Sequence, residues 1–378
     1  MTETVLTNAR LVLADDVFTG TLVLRDGLIA EVQPGPARVA SALDLEGDYL
    51  MAGVVDLHTD NLERQVQPRM NARWPSRSAM LAHDAQCAAA GVTTVLDALC
   101  LGDLGFDEGR ARTFRDGVAD LDALTATGLL KSEHFLHLRC EMPAADVVEL
   151  ADGVADHPRV RMVSLMDHSP GVGQYADVDR FRALRRKEGR SAEQIERQIS
   201  QLLEQRERLR APNRRALLAR MAALDVALAS HDDRDADEIE QNFMDGIRIS
   251  EFPVTLAAAQ AAKQRRMDVI AGAPNIVRGG SHSGNVAVAD LVAADAVDAL
   301  ASDYVPASLV EAAFRSADTG AITLPRAIAL VTDTPARMAR LPDRGRLAVG
   351  LRADCLRVRV FEGLPVVRQV WRGGERVA

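Results

Sequence analysis

The chain has 378 residues, of which 47% are hydrophobic, 4% aromatic and 26% charged, with 26 glycines and 15 prolines. This balance excludes disordered, collagen-like and disulfide-framework classes, and the length allows one large barrel with an appendage or two to three ordinary domains. A formal charge of −9 disfavours a nucleic-acid partner held by a global positive field, so any anionic ligand has to be met by local basic groups.

In chain order, the runs VLTNARLVL, GTLVLRD and LIAEVQPG between Thr4 and Asp48, broken by Asp-Gly and Pro-Gly, predict a small antiparallel sheet. Eight strand-like runs follow, MAGVVDLH, VTTVLDAL, HFLHLRCE, VRMVSLMDH, DVALASH, GIRISEF, MDVIAGAP and VDALASDY, alternating with stretches of helical spacing rich in Ala, Leu, Arg and Asp. That alternation predicts an α/β fold, a (β/α)8 TIM-type barrel whose catalytic groups sit where strands end and loops begin. Residues 177–224 interrupt the repeat with apolar positions at i, i+3, i+4 and i+7 among dense mixed charge. They predict an inserted helical arm, broken near Gly189 and Pro212, that packs on the barrel as a solvated hairpin or serves as a lid or oligomer contact. The tail, RLAVGLRADCLRVRVFEG and LPVVRQVWRGGERVA, adds strands around the turn at Glu362-Gly363. Residues 1–50 plus 343–378 are thus expected to form a small β-sandwich domain, and 51–342 the barrel.

The four cysteines (Cys87, Cys100, Cys140, Cys355) lack paired spacing, so a reducing cytoplasm is the expected compartment. The opening MTETVLTNARLVLADD has no basic segment followed by an apolar stretch, and neither export nor a membrane partner is expected.

Three histidines end strands: His58 in VVDLHTD, His168 in VSLMDHSPG and His231 in VALASHDD; Glu141 after FLHLRC and Asp303 after VDALAS share that address. A lone strand-end histidine is more often a hydrogen-bonded structural residue. Five such groups on different strands of one barrel predict a divalent-metal site, because neutral imidazole and carboxylate oxygen together suit Zn²⁺, Mn²⁺ or Fe²⁺. In His58-Thr59-Asp60, two ligands separated by one residue can both turn toward the mouth as the pleat gives way to loop. His83, His134, His137 and His157 read as structural, Glu251 and Phe252 as core residues or supports behind the site in preference to pocket-shaping ones, and Cys140 as pointing away from Glu141.

The strings DLHTDNLE (56–63), HLRCE (137–141), SLMDHSPG (164–171), SHDD (230–233), GAPNIVRGGSHSGN (272–285) and SDYVP (302–306) resemble the PhnM family of the amidohydrolase superfamily, over the whole chain. The resemblance implies a metal-dependent hydrolase of phosphonate catabolism, the carbon-phosphorus lyase pathway. Such an enzyme cleaves alpha-D-ribose 1-methylphosphonate 5-triphosphate to the 5-phosphate and diphosphate through a metal-bound hydroxide.

It further implies that His58, Asp60 and Asp303 bind one ion and His168 and His231 the other, with Zn²⁺ favoured over Mn²⁺ or Fe²⁺. Glu141 would bridge the two, since none of the three lysines (Lys131, Lys187, Lys263) ends a strand. Asp303 would act as general base. Asp60 stands where a second histidine is usual, and by strand count Glu141, His168 and His231 follow strands three, four and five, where the superfamily often uses four, five and six. Arg69, Arg139, Arg278, Ser281, His282 and Ser283 are the candidate phosphate-binding groups, the glycine-rich loop allowing backbone amides to approach oxyanions. A homo-oligomer is a further expectation. The rival readings are a metal-dependent amidohydrolase acting on a cyclic amide or N-acyl substrate, and a non-catalytic barrel scaffold.

Overall fold

A computed structural model of the chain describes residues 3–69, 72–102, 104, 105, 109–281 and 284–378. The N-terminal runs form β1 (Glu3–Val12), β2 (Val17–Arg25), β3 (Leu28–Pro34), β4 (Leu43–Asp44) and β5 (Tyr49–Ala52). The eight barrel runs become β6 (Val54–Thr59), β7 (Val92–Leu101), β8 (Glu133–Glu141), β9 (Val160–Met166), β10 (Ala227–His231), β11 (Ile249–Glu251), β12 (Asp268–Gly272) and β13 (Ala299–Ala301). The tail returns as β14 (Cys355–Phe361), β15 (Leu364–Arg372) and β16 (Glu375–Arg376).

The terminal strands make one sheet in the order β16-β15-β14-β5-β1-β2-β3, with β4 beside β1. The β1–β2, β2–β3, β14–β15 and β5–β14 ladders are antiparallel, whereas β4 and β5 run parallel to β1. The sheet wraps its own core of Leu6, Leu11, Leu22, Ile29, Leu50, Cys355 and Trp371, and Ile29 N donates to the Leu351 carbonyl where its two ends meet. The seam with the barrel falls at Gly53, where a Cβ would collide with the Thr93 hydroxyl.

The barrel strands follow chain order, β6 to β13, every ladder parallel. An isolated parallel bridge from Thr59 to Asp303 and the bond from Asp303 N to the His58 carbonyl draw the first and last strands together. Among the described residues no strand intervenes between β7 and β8, so Glu141, His168 and His231 do follow strands three, four and five.

Strand pleating sorts the side chains. On β8, Leu136, Leu138 and Cys140 enter the large core under the surrounding helices, while Phe135 joins Leu57, Leu96, Met162, Ala229, Ile249, Ile270 and Ala299 inside the barrel. Interior residues of one strand recur every second position, so His137, Arg139 and Glu141 climb above Phe135 toward the mouth. The barrel is therefore filled by an apolar floor with polar layers stacked on it.

The expected arm is two helices, Val178–Lys187 and Ala192–Met221, separated at Gly189, whose φ of 86° suits glycine. Pro212 does not break the chain as expected, since it lies inside the second helix. An interior proline costs about 3 kcal/mol, and tertiary packing offsets it. Ile195, Ile199, Leu202, Leu217 and Met221 are buried, Asn213 donates to the Met142 and Ala144 carbonyls, and Arg206 and Arg210 both bond Asp167. The arm is thereby tied to the loops that leave β8 and β9. Among the described residues no helix is long and apolar enough to cross a membrane.

Candidate metal centre at the barrel mouth

A cavity of about 470 Å³ opens at the carboxyl ends of the strands, and His58, Asp60, Arg139, His168, His231, Ser281 and Asp303 line it. Three strands leave the barrel through left-handed residues, Asp232 (φ 57°), Phe252 (φ 54°) and Asp303 (φ 55°). Such conformations cost non-glycine residues free energy and persist where the surroundings over-determine them. At Asp303 the fixing is visible: its N–H donates to the His58 carbonyl, and its own carbonyl accepts from Asp60 N at 2.6 Å. Asp60 and Asp303 are thus locked on either side of His58.

Below the cavity sits a buried anchor. Glu251 accepts from His58 Nδ1 at 2.8 Å through Oε1 and from His231 Nδ1 at 2.7 Å through Oε2. Ser164 Oγ lies 2.9 Å from Glu251 Oε2 and 2.5 Å from His137 Nε2. Burial pushes the Glu251 carboxyl up, but the imidazoles of His58 and His137 outweigh it and hold it well below its ordinary value. With Nδ1–H committed to a carboxylate, the lone pair of each imidazole falls on Nε2. His58 Nε2 is buried with no hydrogen-bond partner among the described residues, and so is His168 Nε2. His168 owes its orientation to Glu141, whose carboxylate bonds Nδ1 and accepts from His168 N.

Two groups of ligand atoms result. His58, Asp60 and Asp303 form one, and His168, His231 and Asp232 the other, with the ligand atoms of each within 4.8 Å of one another. Burial pushes the His58 imidazole down, but the Glu251 carboxylate overrides it and carries it up to about 10. The field that holds a proton there also draws a cation. Burial likewise raises Asp60, but Arg139, donating to Oδ1 at 2.5 Å, holds it low. Burial and the neighbouring Asp60 charge lift the Asp303 carboxyl to about 6.

Five of the six expected ligands, His58, Asp60, His168, His231 and Asp303, fall into these two groups. Glu141 falls in neither, because its carboxylate is turned to His168 Nδ1. Of the expected phosphate-binding residues, Arg139 and Ser281 line the cavity, whereas Arg69 and Arg278 are exposed and do not. Arg69 follows the helix Asn61–Val66 out of the mouth. Arg278 ends the six-residue helix Ala273–Arg278, which carries it about 9 Å from the strand end. His282 and Ser283 lie outside the described residues. Sequence reasoning did not assign roles to Asp232, Arg110 or Arg185; the first aspartate of SHDD, next to His231, was the signal for Asp232, and nothing local marked the two arginines. Glu251 was placed at its strand end and read as a core residue or a support behind the site, without the two imidazoles it bonds being named.

No known family model matches the chain. It is 40% identical, over 99% of its own length and 100% of the other's, to an alpha-D-ribose 1-methylphosphonate 5-triphosphate diphosphatase of Escherichia coli (strain K12). Among solved structures it resembles an amidohydrolase (TM-score 0.63, 15% identity, covering 99% of this chain and 98% of that one). It also resembles the dihydropyrimidinase of Brevibacillus agri NCHU1002 (TM-score 0.62, 12% identity, 99% and 95% covered). At such identities the solved structures speak to the fold alone.

Proposed function

Because the chain belongs to the alpha-D-ribose 1-methylphosphonate 5-triphosphate diphosphatase family, within the amidohydrolase fold, we propose that its barrel mouth hydrolyses that triphosphate. The products are the ribosyl 5-phosphate and diphosphate, and the bond broken is a phosphorus anhydride. The observation that carries the reading is the pair of buried, outward-facing Nε2 atoms of His58 and His168, each imidazole fixed from behind by a carboxylate.

The donor set fits divalent cations, with two open imidazole nitrogens, a third imidazole in His231, and carboxylates on both sides. His58, Asp60 and Asp303 would hold one ion, and His168, His231 and Asp232 a second, Zn²⁺ being our choice over Mn²⁺ or Fe²⁺. Bound there, such ions acidify water and polarise a phosphoryl oxygen.

The chain's own groups supply the rest. Asp303, its carboxyl lifted to about 6, is matched to take a proton from the attacking water near neutral pH and pass it on as the leaving oxygen departs. Glu251 keeps His58 and His231 in one tautomer and orientation. Arg139, 6% exposed and bonded to Asp60, places a fixed positive charge beside the reacting phosphoryl group. Ser281 offers a hydroxyl from the loop after β12. Phosphorus NMR of the metal-loaded protein with the ribosyl triphosphate tests the reading: diphosphate is expected, whereas stepwise release of single phosphate, or turnover of cyclic amides alone, would overturn it.

A further inference from the structure

The cavity is divided by charge. The ligand groups come from β6 and β13 at one edge and from the ends of β9 and β10 at the other, so they define an axis across the mouth. One flank of that axis belongs to β7 and β8, the other to β11 and β12; in a ring of eight, the third strand and the seventh face each other.

On the β7–β8 flank the lining is cationic. Arg110 follows β7, Arg139 ends β8, and Arg185 reaches in from the first arm helix beside Tyr175 and Glu188. Arg185 is 3% exposed, lies against the Phe181 ring, and bonds Glu188 at 2.8 and 3.0 Å. Arg110 Nε is buried, and it has no hydrogen-bond partner among the described residues. The opposite flank is apolar or neutral, with Phe252, Pro253, Pro274, Val286, Val288 and Leu291 as its main lining.

We propose that Arg110, Arg139 and Arg185 form the subsite for the terminal diphosphate of the substrate, and that the arm is therefore part of the active site. This rests on the functional reading above. Diphosphate carries the largest charge in the substrate and gains more as the anhydride P–O bond breaks and the electron pair stays on its oxygen. Planar guanidinium groups meet adjacent phosphoryl oxygens with paired, charge-assisted hydrogen bonds. The apolar flank suits the sugar carbons and the phosphonate methyl, with Ser281 left to the phosphonate oxygens. Glu188, a carboxylate that the arm places on the cationic flank, opposes the anion and limits how tightly product is held.

Calorimetric binding of inorganic diphosphate to the metal-loaded protein, with metal content checked before and after, reads the subsite directly. Arg110→Met and Arg185→Met should each weaken it about 10- to 100-fold, while binding of ribose 1-methylphosphonate 5-phosphate changes less than about threefold. Glu188→Gln, at a 41% exposed side chain, should tighten diphosphate several-fold. Unchanged diphosphate binding in the arginine variants, or a loss falling on the phosphonate product instead, overturns the proposal, as does weaker binding in Glu188→Gln. If the wild-type protein releases no diphosphate from the ribosyl triphosphate, the functional reading fails, and the calorimetry still decides whether the cradle binds diphosphate.

Discussion

Among the described residues, histidines and aspartates gather both at the barrel mouth and behind the barrel wall, and the two places differ in whether their ring nitrogens are already spent. At the mouth, His58 and His168 present partnerless Nε2 atoms among the described residues. Behind β7 and β8, His83, Asp97 and His134 also gather ligand-type atoms within 4.8 Å, yet every ring nitrogen is spent. His83 meets Asn61 at 2.9 Å and Asp97 at 2.7 Å; His134 donates to Asp97 at 2.9 Å and to Asp84 at 3.1 Å. Burial pushes His134 down, but those two carboxylates outweigh it and carry it up to about 9. The second cluster is a closed polar network that fastens the helix Ser76–Ala89 to the barrel wall. Ligand chemistry alone does not mark a metal site; lone pairs left open after the hydrogen bonds are counted do.

The difference can be broken experimentally. Asp303→Asn should lower kcat about 10²- to 10⁴-fold, the range for losing a general base, with the melting temperature preserved. His134→Gln should leave metal content and kcat nearly unchanged but cost about 3–5 kcal/mol in denaturant unfolding, since it removes the cation that two buried carboxylates share; a loss of metal instead would erase the distinction between the clusters. Glu251→Gln can still accept from only one imidazole, so metal affinity should fall about 10- to 100-fold, measured by competition with a chelator. The smallest effect is on pH. The folded value of His134 lies above its ordinary 6.5, so its contribution to stability is complete below pH 6.5 and is lost as pH rises through about 9. Unfolding free energies should decline across that window in the wild type, and more shallowly in His134→Gln.

All eight barrel strands were legible because each is a short apolar run set between stretches of helical spacing, and pleating then fixed which side chains face inward. The candidate ligands His58, His168, His231 and Asp303 were legible because each closes or directly follows such a run. What the sequence hid depends on chain returning from a distance. Arg185 sits 46 residues beyond Arg139, on an arm whose charge pattern reads as solvated, and only its docking on Asp167 and the Met142–Ala144 carbonyls turns it inward. Arg278 beside its glycines looked better placed, but a helix of six residues removes it from the mouth. Glu141 was expected between two ions, and its contact with His168 Nδ1 is a side-chain orientation that a residue number does not disclose. Pro212 shows the same limit, as tertiary bonds override its local preference.

Anomalous X-ray scattering from crystals of the metal-loaded protein, recorded at the absorption edge of the bound metal, tests the account most directly. Density is predicted within coordination distance of His58 Nε2 and His168 Nε2, with none beside His83 or His134. Peaks beside His83 or His134, or an ordered mouth without any, would contradict it.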